Sequence, residues 1–219
     1  VRDEKETGVM EMAARPLRYS REDIIVAAVE LLDNVGLPDL TMRRLAQTLN
    51  IQPSALYWHV TDKQTLLAAV ADRILSRTAT VPAGSSWDGA LAAHAHAIRS
   101  ALLAYRDAAE VVASSVALGL GGDATVQGLR AAVAMGGFDD NTTRAGASAI
   151  LHFVLGHVWN EQQRAHADGF DAAAPSVKLT PTDWNDAAAS AAADFDFGVT
   201  LLVSGLAEQR HARVSRTGA

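Results

Sequence analysis

The chain has no cysteine among its 219 residues, which excludes disulfides and thiolate metal sites. Aromatic residues make up only 5 % of it and alanine is abundant, a composition that favours packed helices over sheets. With 49 % hydrophobic and 20 % charged residues it reads as an ordinary globular protein with material for a sizeable core. No apolar run reads as long enough to span a bilayer, and the N-terminal stretch is charged rather than signal-like. A cytoplasmic protein without a membrane partner is expected. The sequence motifs of common catalysts are missing as well: there is no G-x-S-x-G, H-E-x-x-H or G-x-G-x-x-G pattern and no phosphate loop. The expectation is a protein that is not an enzyme and uses no cofactor. Seven histidines invite a metal reading. His94 and His96 are two apart on a helical pattern, however, and His152 and His157 are five apart, so neither pair shares a face and no metal site is expected.

What is present centres on residues 41–63. Thr41 is a good N-cap, and Met42, Leu45, Ala46 and Leu49 recur at helical spacing, leaving Arg43, Arg44, Gln47 and Thr48 outside. Asn50 tolerates the left-handed backbone that a tight turn needs. Gln52 precedes Pro53, which suits the first position of a second helix. There Leu56 and Val60 point inward, and Ser54, Ala55, Tyr57, Trp58 and His59 face out. An aromatic triplet turned to solvent is poor core material but can meet a surface. The pattern predicts a helix-turn-helix whose second helix has the size to enter a major groove.

Leu56-Tyr57-Trp58-His59-Val60 followed by Lys63 and Leu66, with Thr41, Leu45, Ala46 and Leu49 upstream, resembles the signature of the tetracycline-repressor family of transcriptional regulators. The resemblance covers roughly residues 20–75. It implies an all-α fold: a three-helix DNA-binding domain joined by a fourth helix to a larger helical domain for ligand binding and dimerisation. The implied partners are double-stranded operator DNA, a small effector and a second copy of the chain. The expected DNA face is Thr41, Arg43, Gln52, Ser54, Tyr57, Trp58, His59 and Lys63. A net charge of −6 suits such a partner poorly until it is divided. Residues 15–77 carry eight Lys or Arg against seven Asp or Glu, while residues 78–219 carry nine against fourteen. Local sign governs binding, because salt screens charges beyond about 8–10 Å.

Along the chain, residues 1–17 lack periodicity and read as a mobile arm, with Arg15 and Arg18 placed to touch phosphates. The head is expected over 18–78 and the second domain over 79–219. Ser20 with Asp23 forms a capping box for a helix that Gly36 ends. A fourth helix is expected from Asp62 to about Thr78, and Val81 to Ser86 is a break. Further helices are expected over about 87–104, over a segment capped by Asp107 and Glu110 and reaching about Leu118, over 123–135, over 139–167 as the longest, and over 191–211. Residues 168–183 read as a loop.

Gly146, Ala149, Phe153 and Gly156 share one face of the long helix, and Gly198, Leu202 and Gly205 recur on the last. Small residues at such spacing serve either packing within the chain or a close approach by a second copy; the resemblance implies the latter, a four-helix dimer interface. His94 lies beside the stripe of Leu91, Ala95 and Ile98, as a hydrogen-bonded core histidine or as a polar anchor in a ligand pocket.

Trp87, the run Leu102-Leu103-Ala104-Tyr105-Arg106-Asp107, Gly137-Phe138 and His152-Phe153-Val154-Leu155-Gly156 resemble the C-terminal domain of the family's tetracycline-binding members. Their ligand chemistry does not follow. Ala79 stands where those members carry a histidine, and their drug-binding asparagine and phenylalanine align with His94 and Ile98. Their magnesium-binding histidine aligns with Val112, and their magnesium-linked threonine and glutamate with Ser115 and Asn160. The expected pocket walls are His94, Ile98, Val112, Ser115, Phe138, His152 and Asn160, mostly apolar or neutral. They suit a small, largely apolar effector other than magnesium–tetracycline. Two alternatives stay open on sequence: a DNA-binding dimer that needs no effector, and a small-molecule carrier with a vestigial DNA-binding head.

Overall fold

The computed structural model describes residues 19–76, 78, 84–171 and 181–217, with the backbone path alone for 167–171, 181–188 and 211–217. The arm with Arg15 and Arg18, Ala79, and residues 81–83 of the break lie outside the described residues. Within them the chain is all-α. The first helix, α1 (Arg21–Val35), opens on the capping box: Ser20 Oγ accepts the Asp23 N–H at 3.1 Å and the Asp23 carboxylate accepts the Ser20 N–H at 2.8 Å. It is followed by α2 (Met42–Thr48), α3 (Pro53–Leu56) and α4 (Lys63–Leu75). These bury Ile24, Ala28, Leu32, Leu45, Leu56, Val60, Leu66, Val70 and Ile74 against one another. The second part comprises α5 (Trp87–Leu103), α6 (Ala108–Ala117), α7 (Asp123–Ala134), α8 (Asp140–Asp171) and α9 (Pro181–Thr217). One core cluster runs without a break from Ile24 in α1 to Val199 in α9, so head and second domain share their packing.

Polar side chains fix the helices of the second domain to one another. Gln162 of α8, only 8 % exposed, donates to the carbonyls of Leu102 and Tyr105 at 3.1 and 2.8 Å and accepts the Ala109 N–H at 3.2 Å. It thereby ties α8 to the backbone of the turn where α5 ends and α6 begins. Arg99 of α5 meets Glu161 of α8 with Nε and Nη2 at 2.9 and 2.7 Å. Phe195 of α9, fully buried, stacks on Phe153 at 5.6 Å and lies 5.1 Å beneath the Arg99 guanidinium.

Two boundaries and one cap differ from expectation. The fourth helix stops at Leu75 rather than near Thr78; Ser76 Oγ donates to the Arg73 carbonyl at 2.7 Å, a local bond that competes with continued helix. Asp107 does not cap α6 with its side chain. It takes a left-handed conformation (φ 55°), and its carboxylate accepts the Leu37 N–H at 2.8 Å, seventy residues away in the head. α9, not α8, is the longest helix: it has 37 residues and begins at Pro181, inside the stretch expected to be loop. Proline is tolerated in a first helical turn, and the alanines of 187–193 propagate helix well. Its segment Ala189–Arg210, contrary to expectation, is long and apolar enough to cross a membrane by length and composition. Ala191, Phe195 and Val199 of that segment are buried in the core, as in a packed helix of a folded domain.

Gly36 occupies a position that only glycine fits without strain. Its φ is 79°, and an added Cβ would lie 2.8 Å from Asp107 Oδ2 and 3.1 Å from Arg106 Nε. Gly36→Ala is expected to destabilise the protein by about 1–3 kcal/mol, since the left-handed backbone and the carboxylate both resist a methyl group. Urea unfolding of the two proteins measures this directly.

Candidate DNA interface and effector cavities

The turn between α2 and α3 is built by its own backbone. Asn50 has φ 51°, the Leu49 and Ile51 N–H groups bond to the Leu45 and Ala46 carbonyls at 3.0 Å, and Pro53 opens α3. α3 is regular for only four residues, but the His59 and Val60 N–H groups return to the Leu56 carbonyl at 2.9 and 3.0 Å, carrying the coil through residue 60. Leu56 and Val60, 0 and 1 % exposed, anchor it from below. On top Trp58 is 89 % and Tyr57 52 % exposed. Thr41, Arg43, Gln52, Ser54 and Lys63 are exposed as well, while His59 is half-buried. Thr41 also caps α2, accepting the Arg44 N–H at 3.1 Å. Arg44 is held by Asp39 at 3.2 Å; Arg43 has no ion pair among the described residues. Asp62 caps α4, and the Thr65 N–H at 2.7 Å is the main cause holding its carboxyl below the usual carboxylate range. Lys63 follows in the first turn.

The head is wired to the second domain at two further points. The Arg106 N–H donates to Asp33 Oδ1 at 3.0 Å beside the Asp107–Leu37 bond. On α4, Asp72 Oδ1 accepts the Gly122 N–H at 2.7 Å. Gly121 lies so close that an added Cβ would meet the Ala68 carbonyl at 3.0 Å. The turn before α7 therefore grips α4.

Behind that grip lies a cleft of about 500 Å³, bounded by Asp72, Leu75, Ser76 and Thr78 on the α4 side, by His94, and by the start of α7. Burial holds the His94 imidazole below its ordinary pKa, favouring the neutral ring, and Gly128 leaves it room: a Cβ there would stand 3.0 Å from His94 Cε1. A smaller cavity of about 190 Å³ lies between α6, α7 and α8 and includes His152. The other expected pocket residues are placed differently. Ile98 and Val112 are 1 and 0 % exposed in the core, and Ser115 is buried with its hydroxyl on the Val111 carbonyl at 2.9 Å. Phe138 packs edge-on against Trp87 at 5.1 Å. Asn160 is exposed, its amide on the Gly156 carbonyl at 2.9 Å. His94 and His152 thus line two separate cavities, and the remaining five line neither.

The small residues of α8 and α9 divide into two sets. Gly146 admits Leu206 (Cδ2 at 3.1 Å from a Cβ), and Gly198 lies against the Phe153 ring, so these three positions serve packing within the chain. Ala149, Gly156 and Gly205 face outward, and nothing lies within 4 Å of a Cβ at either glycine. Phe197 and Leu201, 70 and 61 % exposed, form with Gly205 an apolar stripe on α9 at intervals of four. Leu202, half-buried, borders a groove of about 370 Å³ between the two helices. Phe197 and Leu201 were missed in the sequence although their spacing with Gly205 is a legible signal.

Two family models match the chain. Residues 24–70 match "Bacterial regulatory proteins, tetR family", and residues 81–210 match "Tetracyclin repressor-like, C-terminal domain". The chain belongs to the tetR family of bacterial regulatory proteins and is a DNA-binding transcriptional regulator. It is similar to the tetracycline repressor protein class D of Escherichia coli, 40 % identical over 171 residues that cover 75 % of this chain and 76 % of that one. It is also similar to the crystal structure of BioQ from Mycobacterium smegmatis, with TM-score 0.76 and 37 % identity, over 87 % of this chain and 99 % of that one. A structure of BioQ with its natural double-stranded DNA operator matches with TM-score 0.71 and 36 % identity over the same shares.

Proposed function

We propose that the chain is a cytoplasmic repressor that acts by binding rather than by catalysis, with residues 18–78 as its DNA head and 79–219 as its effector and dimerisation domain. Two copies join through the outward faces of α8 and α9 and set two α2–α3 units on a palindromic operator. A small molecule bound among α5–α8 releases them. The observation that carries this is the solvent-facing pair Tyr57 and Trp58 on a segment whose inward side is fully packed. Adjacent exposed aromatic side chains rimmed by polar residues are a mark of an interaction surface. Thr41, Arg43, Gln52, Ser54, His59 and Lys63 surround the pair; Arg43 has the fork that reads guanine, and Lys63 has the point charge that meets phosphate. An operator structure of a relative 36 % identical supports the duplex as partner.

The effector-responsive reading is supported over an effector-independent dimer by the cleft backed by α4. A molecule lodged against Asp72, Leu75 and His94 touches α4 directly, so its binding is coupled to the position of that helix. α4 carries Lys63 and is gripped at Gly122, so a shift there moves the reading head. Release requires only that the effector bind the DNA-incompetent arrangement better.

Magnesium–tetracycline is expected not to be that effector. The position where the resemblance requires a metal-binding histidine is Val112, fully buried in the core, and Asn160 is occupied with its own helix. In a titration of the operator complex, tetracycline with magnesium should leave the complex intact. Release at micromolar tetracycline that depends on magnesium would contradict this.

A further inference from the structure

We propose that the cavity between α6, α7 and α8 binds the carboxylate of an organic acid. This rests on the effector-responsive reading but not on the α4 cleft: the acid occupies the separate α6–α7–α8 cavity, and as effector it is a small acid with an apolar body. The polar lining of the cavity is Arg130, Arg144, Ser148 and His152, and it includes no carboxylate. Arg130 Nε is buried and has no hydrogen-bond partner. Arg144 reaches only a neutral partner, Asn141 Oδ1, at 2.8 Å. Arg44, Arg73 and Arg99 each have a carboxylate within 3.3 Å, whereas neither cavity arginine has an ion pair among the described residues. A buried donor without a partner is costly, and Arg130 Nε is such a donor; exposed Arg144 adds a second positive charge at the same cavity, so the two together call for an anion.

Geometry and size select the kind of anion. The planar guanidinium fork pairs a carboxylate with two parallel hydrogen bonds, and the Ser148 hydroxyl adds a third donor. The remaining walls, Val116, Val126, Ala147 and Leu151, are apolar and suit the first carbons of a hydrocarbon body better than a hydrated phosphate. At about 190 Å³ the cavity is smaller than pockets that enclose a whole drug-sized ligand, about 300–1,000 Å³, so it takes the acidic end and leaves the body to extend past exposed His152. Nothing in the one-dimensional pattern marks this site. Arg130 follows Val126 by four and precedes Val133 by three, which places a charge on the inner shoulder of α7.

The test uses the full-length protein and isothermal titration with benzoate, phenylacetate and octanoate, their neutral amides, and phenyl phosphate. At least one acid should bind the wild type, with its amide about tenfold weaker or worse, the factor lost with one charged hydrogen bond. Arg130→Gln and Arg144→Gln should each weaken the acid by a similar factor and leave operator affinity without acid unchanged. Ser148→Asp supplies a carboxylate from within; it should raise the melting temperature and abolish acid binding, and it decides the matter if the glutamine variants fail to fold. The proposal is overturned if none of the acids binds, if acids and amides bind alike, if phenyl phosphate binds more tightly than every acid, or if the glutamine variants bind acid as the wild type does. It is equally overturned if those variants turn a dimer into a monomer in sedimentation, which would assign the arginines to a carboxylate of the partner subunit. Following the operator in the same titration separates the two readings. Acid that binds without releasing DNA leaves the carboxylate site standing and sinks the effector reading; release by the amides alone does the reverse.

Discussion

Replacing Tyr57 and Trp58 together by alanine is expected to leave the melting temperature unchanged within a degree or two and to remove most operator affinity. The two side chains are 52 and 89 % exposed, so their loss opens no cavity and the anchors Leu56 and Val60 remain in place. Surface substitutions of that kind usually change stability by no more than about 0.5 kcal/mol. A side chain that meets base edges contributes roughly 1–3 kcal/mol, so the pair together should cost about 2–6 kcal/mol of binding. Lys63→Ala provides the contrast: it should weaken all duplexes alike and flatten the salt dependence. A fluorescence-anisotropy titration at two salt concentrations separates these outcomes. Wild-type affinity in the double variant would remove the aromatic pair from the interface.

The second large effect concerns assembly. Phe197→Glu with Leu201→Glu puts two carboxylates on the outward stripe of α9, beside the open positions at Gly156 and Gly205. In a free chain both would be solvated at little cost. Across a two-fold axis the same patch meets itself, so the pair of substitutions brings four like charges into one apolar interface. Burying an uncompensated charge costs about 3–5 kcal/mol, enough to convert a micromolar-or-weaker dimer wholly to monomer and to weaken a tighter one several-hundredfold. Operator binding should fall with it, because a single head finds only half a palindrome. Sedimentation of the variant as a dimer would place the interface elsewhere. Gly156→Leu acts on the same face with a smaller effect, about 1–3 kcal/mol by over-packing.

The head was legible because its signals are local. The Ser20–Asp23 capping box, the Thr41 cap, the left-handed Asn50 and Pro53 at the start of α3 each concern residues within a few positions of one another, and each sits where its chemistry required. Legibility failed where a residue answers to a distant partner. Asp107 reads as a helix cap but serves the Leu37 N–H, a bond no spacing rule can anticipate. The small residues of α8 and α9 were grouped by periodicity alone. Which of them touch a neighbouring side chain depends on where Phe153 and Leu206 lie, so Gly146 and Gly198 turned inward while Gly156 and Gly205 did not. The effector region was harder still. Alignment placed pocket walls at Ile98 and Val112, where packing has closed the space, and passed over Arg130 and Arg144, whose meaning appears only when two helices bring them together.

Selection of duplexes from a randomised pool by the full-length dimer tests the central claim most directly. The account predicts enrichment of a palindrome whose half-sites are about one helical turn apart or somewhat more, as two-fold symmetry requires. The enrichment should vanish with the Tyr57 and Trp58 double variant. Recovery of no preferred sequence, or of a single asymmetric site bound equally well by that variant, would contradict it.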